Sequence, residues 1–256
     1  MLNPSLQLIG VTGVPLIKPG DSISEIILLA CQKQEIVIQD NDILVITQKI
    51  VSKAEGRFKN LNSIKPGIRA GIISLVTQKD PRFVQLVLDE SNKVLRVKKN
   101  TLIVEHKNGF VCANAGIDHS NVDDKNQENI FLLLPKNPDF SAQQFRNDIE
   151  RKLNINIGVL IIDSHGRAWR NGTIGMAIGL SGLPGLVDLR GKEDLFGFKL
   201  RITMVGAADE LAAGASLLMG QAKEGVPVVI ARGFPYQLRD GKLSELIRER
   251  KDDLFR

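Results

Sequence analysis

Short apolar runs rich in Ile, Val and Leu recur from one end of the chain to the other, and helix-like segments separate them at uneven intervals. The runs that predict strands are QLIGV (7–11), ILVITQ (43–48), TLIVEH (101–106), FVCANAG (110–116), IFLLL (130–134), IGVLIIDS (157–164), KLRITMVG (199–206) and VPVVIA (226–231). Predicted helices cover 23–33, 63–78, 81–90, 142–153 and 207–222, and the charged tail at about 236–256 is predicted to be a solvated helix. Strands and helices do not alternate regularly, as they do in a doubly wound sheet. Their order therefore predicts one α+β unit over residues 1–256, with mixed sheets and packed helices in two interwoven subdomains.

Turn and capping residues mark several boundaries of these elements. Asp21 or Ser22 can cap the first helix, and Ser141 can cap the fourth. The KNG tripeptide at 107–109 has the chemistry of a hairpin turn. The segment KIVSKAEGR (49–57) is predicted to be a loop that follows a buried strand.

Familiar nucleotide-binding motifs are missing from the sequence. No G-x-x-x-x-G-K-[ST] run occurs, and the glycines at 179, 182 and 185 do not have the spacing of a dinucleotide fingerprint. The chain is therefore predicted to have neither a P-loop nor a Rossmann fold, and any nucleotide must be held in another way.

Composition narrows the class of protein and of partner. Two cysteines, Cys31 and Cys112, form no disulfide framework and no metal-binding spacing, so reduced thiols and a cytoplasmic location are expected. No apolar tract approaches the roughly 20 residues of a membrane span, so no membrane partner is expected. The net charge of +5 is spread along a chain with one Trp and one Tyr, which offers little surface for stacking bases. A substrate that carries several phosphates fits this charge, and no nucleic-acid partner is predicted.

Two polar stretches in the first half of the chain could carry chemistry. In QKIVSKAEGR (48–57), Lys49, Lys53 and Arg57 could contact phosphates, and Arg57 is also a candidate to hold a substrate anion, or the segment could be a solvated basic loop. The stretch NAGIDHSNV (114–122) contains side chains that can bind metals or accept hydrogen bonds, and it could equally be a polar turn.

Two further stretches lie in the second half. In DSHGRAWRNG (163–172), Asp163 and Ser164 supply the oxygens that Mg²⁺ and Mn²⁺ prefer, while Arg167 and Arg170 are candidates to hold a substrate anion. The alternative is a capping Asp ahead of a charged loop. At the end of AADELAAGASLLMGQAKEG (207–225), Gln221 and backbone carbonyls could reach a ligand or simply form a helix C-cap.

Five stretches, in this order, resemble the family of GTP-dependent ligases that add L-glutamate to the precursor of the deazaflavin coenzyme F-420. They are GVPLIKPGD (13–21), VSKAEGR (51–57), NAGIDHSNV (114–122), DSHGRAWRNGTIGMAIGLSG (163–182) and ADELAAGASLLMGQ (208–221). They span almost the whole chain up to about residue 235, which makes the resemblance specific.

The resemblance implies a reaction and its partners. GTP would phosphorylate the carboxylate of coenzyme F-420-0, and the amine of glutamate would attack the acyl phosphate, with further γ-linked glutamates possible. It also implies an α+β fold of intertwined subdomains, a homodimer, two Mg²⁺ or Mn²⁺ ions and K⁺. No covalent enzyme nucleophile is needed, and no flavin is expected because the chain ends without the nitroreductase-like domain that some relatives carry.

Carried over to this sequence, the resemblance implies two groups of site residues. The nucleotide would contact Val14, Pro15, Leu16, Ile17, Gln48, Lys49, Lys53, Asn121, Met219, Gly220, Gln221, Ala222, Lys223, Glu224, Gly225 and Val226. The divalent metals would be held by Asp118, Asp163, Ser164 and Gln221. Two residues depart from the family pattern: Gln221 stands where a glutamate ligand can occur, and His119 stands where a small residue is expected.

Two alternatives remain beside the ligase. A metal-dependent nucleotide phosphohydrolase could use Asp118 and Asp163 to activate water. A non-enzymatic module that binds a phosphate ligand or nucleic acid would rely on the basic charge, and its binding would depend on salt without turnover.

Overall fold

A computed structural model describes residues 4–119 and 129–255. The strands are β1 (Gln7–Val11), β2 (Ile43–Thr47), β3 (Phe58–Asn60), β4 (Ser91–Lys98), β5 (Thr101–His106), β6 (Val111–Ala113), β7 (Ile130–Leu132), β8 (Gly158–Arg167), β9 (Arg170–Ser181), β10 (Val187–Asp188), β11 (Met204–Val205) and β12 (Val228–Arg232). The helices are α1 (Ile23–Lys33), α2 (Gln48–Ala54), α3 (Ile68–Thr77), α4 (Pro81–Asp89), α5 (Pro138–Leu153) and α6 (Ala207–Met219).

The central sheet has five strands in the order β1-β12-β2-β8-β9. Strands β2 and β8 run parallel, and the other neighbours run antiparallel. Successive residues of a strand face opposite sides, and both sides of β2 are covered. Leu44 and Ile46 join one core with residues of α1 and α5, while Ile43 and Val45 join a second core with residues of α6. The predicted α+β class with mixed sheets and packed helices is confirmed.

Smaller elements branch off between β2 and β8. Strands β4, β5 and β6 form an antiparallel sheet whose buried residues pack with those of α3 and α4, and β3 pairs with β7. The chain thus leaves the central sheet after α2 and returns to it at β8. The division into two interwoven subdomains stays a prediction.

Several predicted elements have different bounds in the structure. The segment 49–57, predicted to be a loop, lies largely in α2 because Ile50 and Val51 are buried in the core beneath the central sheet. Helix α5 begins at Pro138 with Asn137 as its cap, so Ser141 is inside the helix and its hydroxyl donates to Glu55 instead. Ser22 occupies the cap position of α1, but its side chain makes no capping bond.

The largest differences concern strands β8 and β9. The strand predicted over 157–164 continues to Arg167 and pairs with β9, which is rich in glycine and was not predicted. Gly175 and Gly179 of this strand allow close packing of helices α6 and α5 against it. Strand β4 was not predicted, since its burial is only partial and its sequence is basic.

The region after β9 contains less regular structure than the sequence predicts. Only Met204–Val205 of the segment 199–206 forms a strand. The tail contains two short 3-10 turns, at Leu243–Glu245 and Arg250–Asp252, in place of a solvated helix, and the Leu243 side chain is buried against the second core. Across residues 4–119 and 129–255, no helix has the length and hydropathy needed to cross a membrane.

Candidate functional site

A cavity of about 850 Å³ opens beside the central sheet, where five separate parts of the chain meet. It is bounded by the segment before α1, the first turns of α2, the turn after β6, the outer half of β8 and the loop after α6. The predicted site residues that line it are Val14, Pro15, Leu16, Ile17, Lys49, Lys53, Asp118, Asp163, Ser164, Met219, Gly220, Gln221, Ala222, Lys223, Gly225 and Val226. The structure therefore brings most of the predicted residues together.

Helix α2 brings two lysines to the cavity. Lys49 and Lys53 are four residues apart and so share one face of the helix. The Lys49 ammonium lies 2.8 Å from the Asp118 carboxylate. Gln48 is buried beneath this face, where its side-chain oxygen accepts the hydroxyl of Ser52 at 2.8 Å, so it supports the helix and does not line the cavity.

A left-handed turn carries Asp118 into the cavity. Asn114, Ala115 and Gly116 all have positive φ values between 51° and 64°, a conformation that L-residues seldom adopt. A side chain on Gly116 would come within 2.5 Å of Leu134, so glycine is required there. After the turn, Asp118 exchanges two backbone hydrogen bonds with Leu132, of 2.9 and 2.8 Å. Its carboxylate is thus held by a fixed backbone.

The second carboxylate comes from the middle of β8. Asp163 is paired with Met176 of β9, and its side chain is about one-seventh exposed at the cavity wall. The Nε2 atom of His165 lies 3.0 Å from its Oδ2 atom. Ser164, between them, also lines the cavity. Because the strand continues to Arg167, Asp163 lies within a paired strand and not at the strand end that the sequence predicted.

The loop after α6 closes one side of the cavity. Gly220 ends the helix with a φ of 68°, and residues up to Pro227 continue along the cavity wall. The Glu224 carboxylate turns back and accepts the backbone N–H of Ala222 at 2.8 Å. Backbone N–H groups, including those of Glu224 itself and of Ala222, hold the pKa of this carboxyl below its usual value. Glu224 therefore shapes the loop and does not line the cavity.

The three arginines predicted to hold a substrate anion lie outside the cavity lining. Arg57 donates to Glu90 at 2.7 Å and to the carbonyl of Leu134 at 2.9 Å, which occupies its guanidinium with structural contacts. Arg167 and Arg170 face each other across the end of the β8–β9 hairpin. Their role as anion contacts stays a prediction.

Two of the residues singled out in the sequence, His119 and Asn121, follow Asp118 closely along the chain. Asn121 lies outside the described residues. His119 is exposed, and its ring packs against Phe131 at a centroid distance of 4.8 Å. The ring therefore has a contact away from the cavity lining, and its predicted effect on the Asp118 site stays a prediction.

The oxygen atoms of the cavity suit a hard divalent cation. Asp118, Asp163 and Ser164 offer carboxylate and hydroxyl oxygens, and Gln221 offers a neutral amide oxygen. Within the described part of the chain, no group of three or more His, Cys, Asp and Glu residues forms a complete metal cage. Mg²⁺ and Mn²⁺ fit this arrangement, because Mg²⁺ commonly binds one or two carboxylates together with substrate phosphates and water.

Some residues of the cavity wall were not predicted as site residues. They include Thr47, Cys112, Ile117, His165 and Gly166. Burial raises the pKa of the Cys112 thiol to about 12, so this residue is a protonated, compact wall residue and not a nucleophile. The position of His165 two residues after Asp163 on an apolar strand was the signal that could have identified it, since such residues share one face.

Comparison with known proteins gives a consistent result. The family model described as F420-0:Gamma-glutamyl ligase matches residues 12–233. A coenzyme F420:L-glutamate ligase from Methanothermobacter thermautotrophicus is 45% identical over 253 residues, which are 98% of this chain and 99% of the relative. The protein of the same name from Methanocaldococcus jannaschii is 43% identical over 98% of this chain and 97% of its own length. The one from Methanopyrus kandleri is 39% identical over 98% of this chain and 99% of its own length.

Proposed function

Because the chain belongs to the F420-0:gamma-glutamyl ligase family, we propose that it joins L-glutamate to coenzyme F-420-0 through an amide bond, using GTP. Further γ-linked glutamates can follow by the same reaction. The observation that carries the proposal is the cavity in which Asp118, Asp163 and the lysines of α2 meet the loop after α6.

The proposed reaction has two bond-forming steps. An oxygen of the acceptor carboxylate attacks the γ-phosphorus of GTP, the bond to GDP breaks, and an acyl phosphate results. The amine of glutamate then attacks the acyl carbon, phosphate leaves, and the nitrogen loses a proton. No covalent bond to the enzyme is formed, so the protein acts mainly by positioning its substrates and stabilising charge.

The residues of the chain have separate parts in this scheme. Residues Val14 to Ile17 and, apart from Glu224, Met219 to Val226 would enclose the nucleotide. Lys49 and Lys53 line the same cavity and would offset the negative charge of its phosphates. Asp118, Asp163, Ser164 and Gln221 hold divalent cations, which neutralise phosphate oxygens when bound. A monovalent cation such as K⁺ completes the proposed cofactors.

We further propose that the protein is a homodimer. The segment between β10 and β11 exposes large apolar side chains, including Leu195 at 97% and Phe196 at 93%. Contiguous exposed apolar surface commonly marks a protein interface. A molar mass in solution of two chains by light scattering supports this proposal, and the mass of a single chain at micromolar concentration contradicts it.

Substitution of the two cavity carboxylates tests the assignment of the site. We expect Asp118→Asn and Asp163→Asn each to lower the rate of glutamate ligation by about 100-fold or more, because phosphate charge is no longer offset by bound cations. The control is Asp148→Asn, which replaces a half-exposed carboxylate of α5 that pairs with Arg151 and does not line the cavity. Circular dichroism verifies that all three variants fold. Near-normal turnover in both cavity variants would refute the site.

The phosphohydrolase is the second candidate, because Asp118 and Asp163 in one cavity could also activate water. It predicts that phosphate is released from GTP at the same rate with and without glutamate and acceptor. The ligase predicts that phosphate release requires both.

A further inference from the structure

Three aromatic rings, of which the two imidazoles are buried, pack against one another behind the Asp163 carboxylate. The ring of Phe110 lies between His106 and His165, with centroid distances of 5.1 Å to His106 and 5.3 Å to His165. Both imidazoles are almost fully buried, at 2% and 7% exposure. Only His165 is next to the cavity carboxylate, and it also lines the cavity itself.

The strand places His165 where it can act on Asp163. Residues 163 and 165 are two apart on β8 and so project from the same face. Pairing of Asp163 with Met176 and of His165 with Ile174 fixes both backbones, and contact with Phe110 restricts the imidazole. The relative position of the two side chains is therefore set by the sheet and by the stack.

The Nε2 atom of His165 lacks a hydrogen-bond partner in the described ranges. The Nε2 atom of His165 is 3.0 Å from Asp163 Oδ2, but the two groups are not aligned as a hydrogen bond, so the contact is electrostatic. In the described ranges, this buried nitrogen has no aligned hydrogen-bond partner. A buried imidazole N–H without an acceptor is costly, and the Asp163 Oδ2 atom, 3.0 Å from Nε2, is the neighbouring acceptor.

We propose that His165 is a positioning residue that holds the Asp163 carboxylate in its orientation toward the cavity. The inference rests on the proposed function in one respect, namely that Asp163 binds a divalent cation. Carboxylate ligands are commonly oriented by a hydrogen-bonded neighbour, and loss of such a neighbour weakens metal binding or activity.

His106 provides a matched comparison within the same stack. It is also buried, its ring stacks on Phe110, and its Nδ1 atom accepts the backbone N–H of Asn108 at 3.0 Å, while its Nε2 atom, like that of His165, has no hydrogen-bond partner in the described ranges. Phe110 separates it from His165 in the stack. Loss of His106 therefore disturbs the packing behind the site without removing the neighbour of Asp163.

The test is direct binding of Mn²⁺, measured by electron paramagnetic resonance with a non-hydrolysable GTP analogue, so that it does not depend on turnover. We expect His165→Phe to weaken Mn²⁺ binding by about 10- to 100-fold, the range found when outer partners of metal ligands are removed. His165→Gln, whose amide nitrogen can reach the same carboxylate, is expected to restore most of the affinity. His106→Phe is expected to bind Mn²⁺ like the unsubstituted protein.

Thermal unfolding monitors the integrity of every variant. If His165→Phe does not fold, His165→Asn replaces it, because its shorter amide keeps polarity but does not reach Asp163. Equal Mn²⁺ affinity in the His165 variants and the unsubstituted protein would overturn the positioning role alone. Equal losses at His165 and His106 would overturn it too, since packing would then be the cause. Absence of Mn²⁺ binding by the unsubstituted protein would contradict the proposed metal site and the inference together.

Discussion

At the scale of single residues, the cavity depends on two carboxylates that are held by different means. Asp118 follows three residues with positive φ, and such strained backbone persists only where the surrounding structure enforces it. Asp163 is instead fixed by strand pairing and by its buried neighbour His165. Neither carboxylate depends on a flexible loop, which favours a site that is formed before substrate binds.

Burial of His106 gives the protein a defined dependence of stability on pH. Burial, with the nearby charges of Arg57, Lys107 and His165, lowers the pKa of His106 from its ordinary value of 6.5 to about 4. Above pH 6.5 both the folded and the unfolded chain carry neutral His106. As the pH falls from 6.5 toward 4, the unfolded chain binds a proton that the folded chain does not, so the free energy of unfolding decreases.

We therefore expect His106→Phe to reduce the loss of stability between pH 7 and pH 4.5 by about 2 to 3 kcal/mol. Urea unfolding of both proteins at the two pH values measures this difference. The comparison between the proteins cancels the contributions of other titrating groups. An identical loss in both proteins would show that His106 titrates normally in the folded state.

At the scale of elements, the β8–β9 hairpin lies between two helices and depends on glycine for close contact. A side chain on Gly175 would collide with the backbone of Ala212 in α6, and one on Gly179 would collide with Pro138 at the start of α5. The N–H of Leu180 donates to the Asp139 carboxylate at 2.9 Å, which fastens the first turn of α5 to β9. The hairpin that carries Asp163 is thus held from both faces.

Gly179→Ala tests this close contact. We expect a loss of about 1 to 3 kcal/mol in the free energy of unfolding, because the added methyl group forces α5 and β9 apart. The matched control is Gly166→Ala in β8, where an added methyl group meets open space. Denaturant unfolding of the two variants measures the effect, and equal stabilities would argue against the packing described.

At the scale of the whole molecule, the cavity lies where separately formed parts of the fold meet. Asp163 belongs to the central sheet, whereas Asp118 pairs with Leu132 of β7, which belongs to a small sheet. Lys49 of α2 spans the two parts through its ion pair with Asp118. Since both carboxylates are needed for the proposed chemistry, relative motion of these parts would change the site directly.

Local sequence predicts the helices and strands of this fold better than the contacts between elements that are distant in sequence. Buried strands such as β2 and β12 have continuous apolar runs, and their existence followed from that pattern alone. Strand β9 was missed because its glycines are needed for close packing against α5 and α6, which are distant in sequence. The ion pair of Arg57 with Glu90 likewise depends on a residue 33 positions away, so a surface loop was the natural prediction.

Most site residues were predicted from the resemblance of five stretches to one family, because the residue types within each stretch left alternatives open. Without that resemblance, Asp118 was an even choice between a polar turn and a ligand. The structure supplies what no single stretch contains, namely that Asp118, Asp163 and Lys49 line the same cavity. His165 was missed because its meaning depends on the strand continuing past Asp163.

Mass spectrometry of the reaction products tests directly whether this protein ligates glutamate to coenzyme F-420-0. The protein is incubated with coenzyme F-420-0, L-glutamate, GTP and Mn²⁺, beside a reaction without glutamate and one with Asp163→Asn. We predict that the acceptor gains the mass of one or more glutamyl residues only in the complete reaction with the unsubstituted protein. Conversion of GTP to GDP at the same rate without glutamate, and with no gain in acceptor mass, would contradict the ligase and favour a phosphohydrolase.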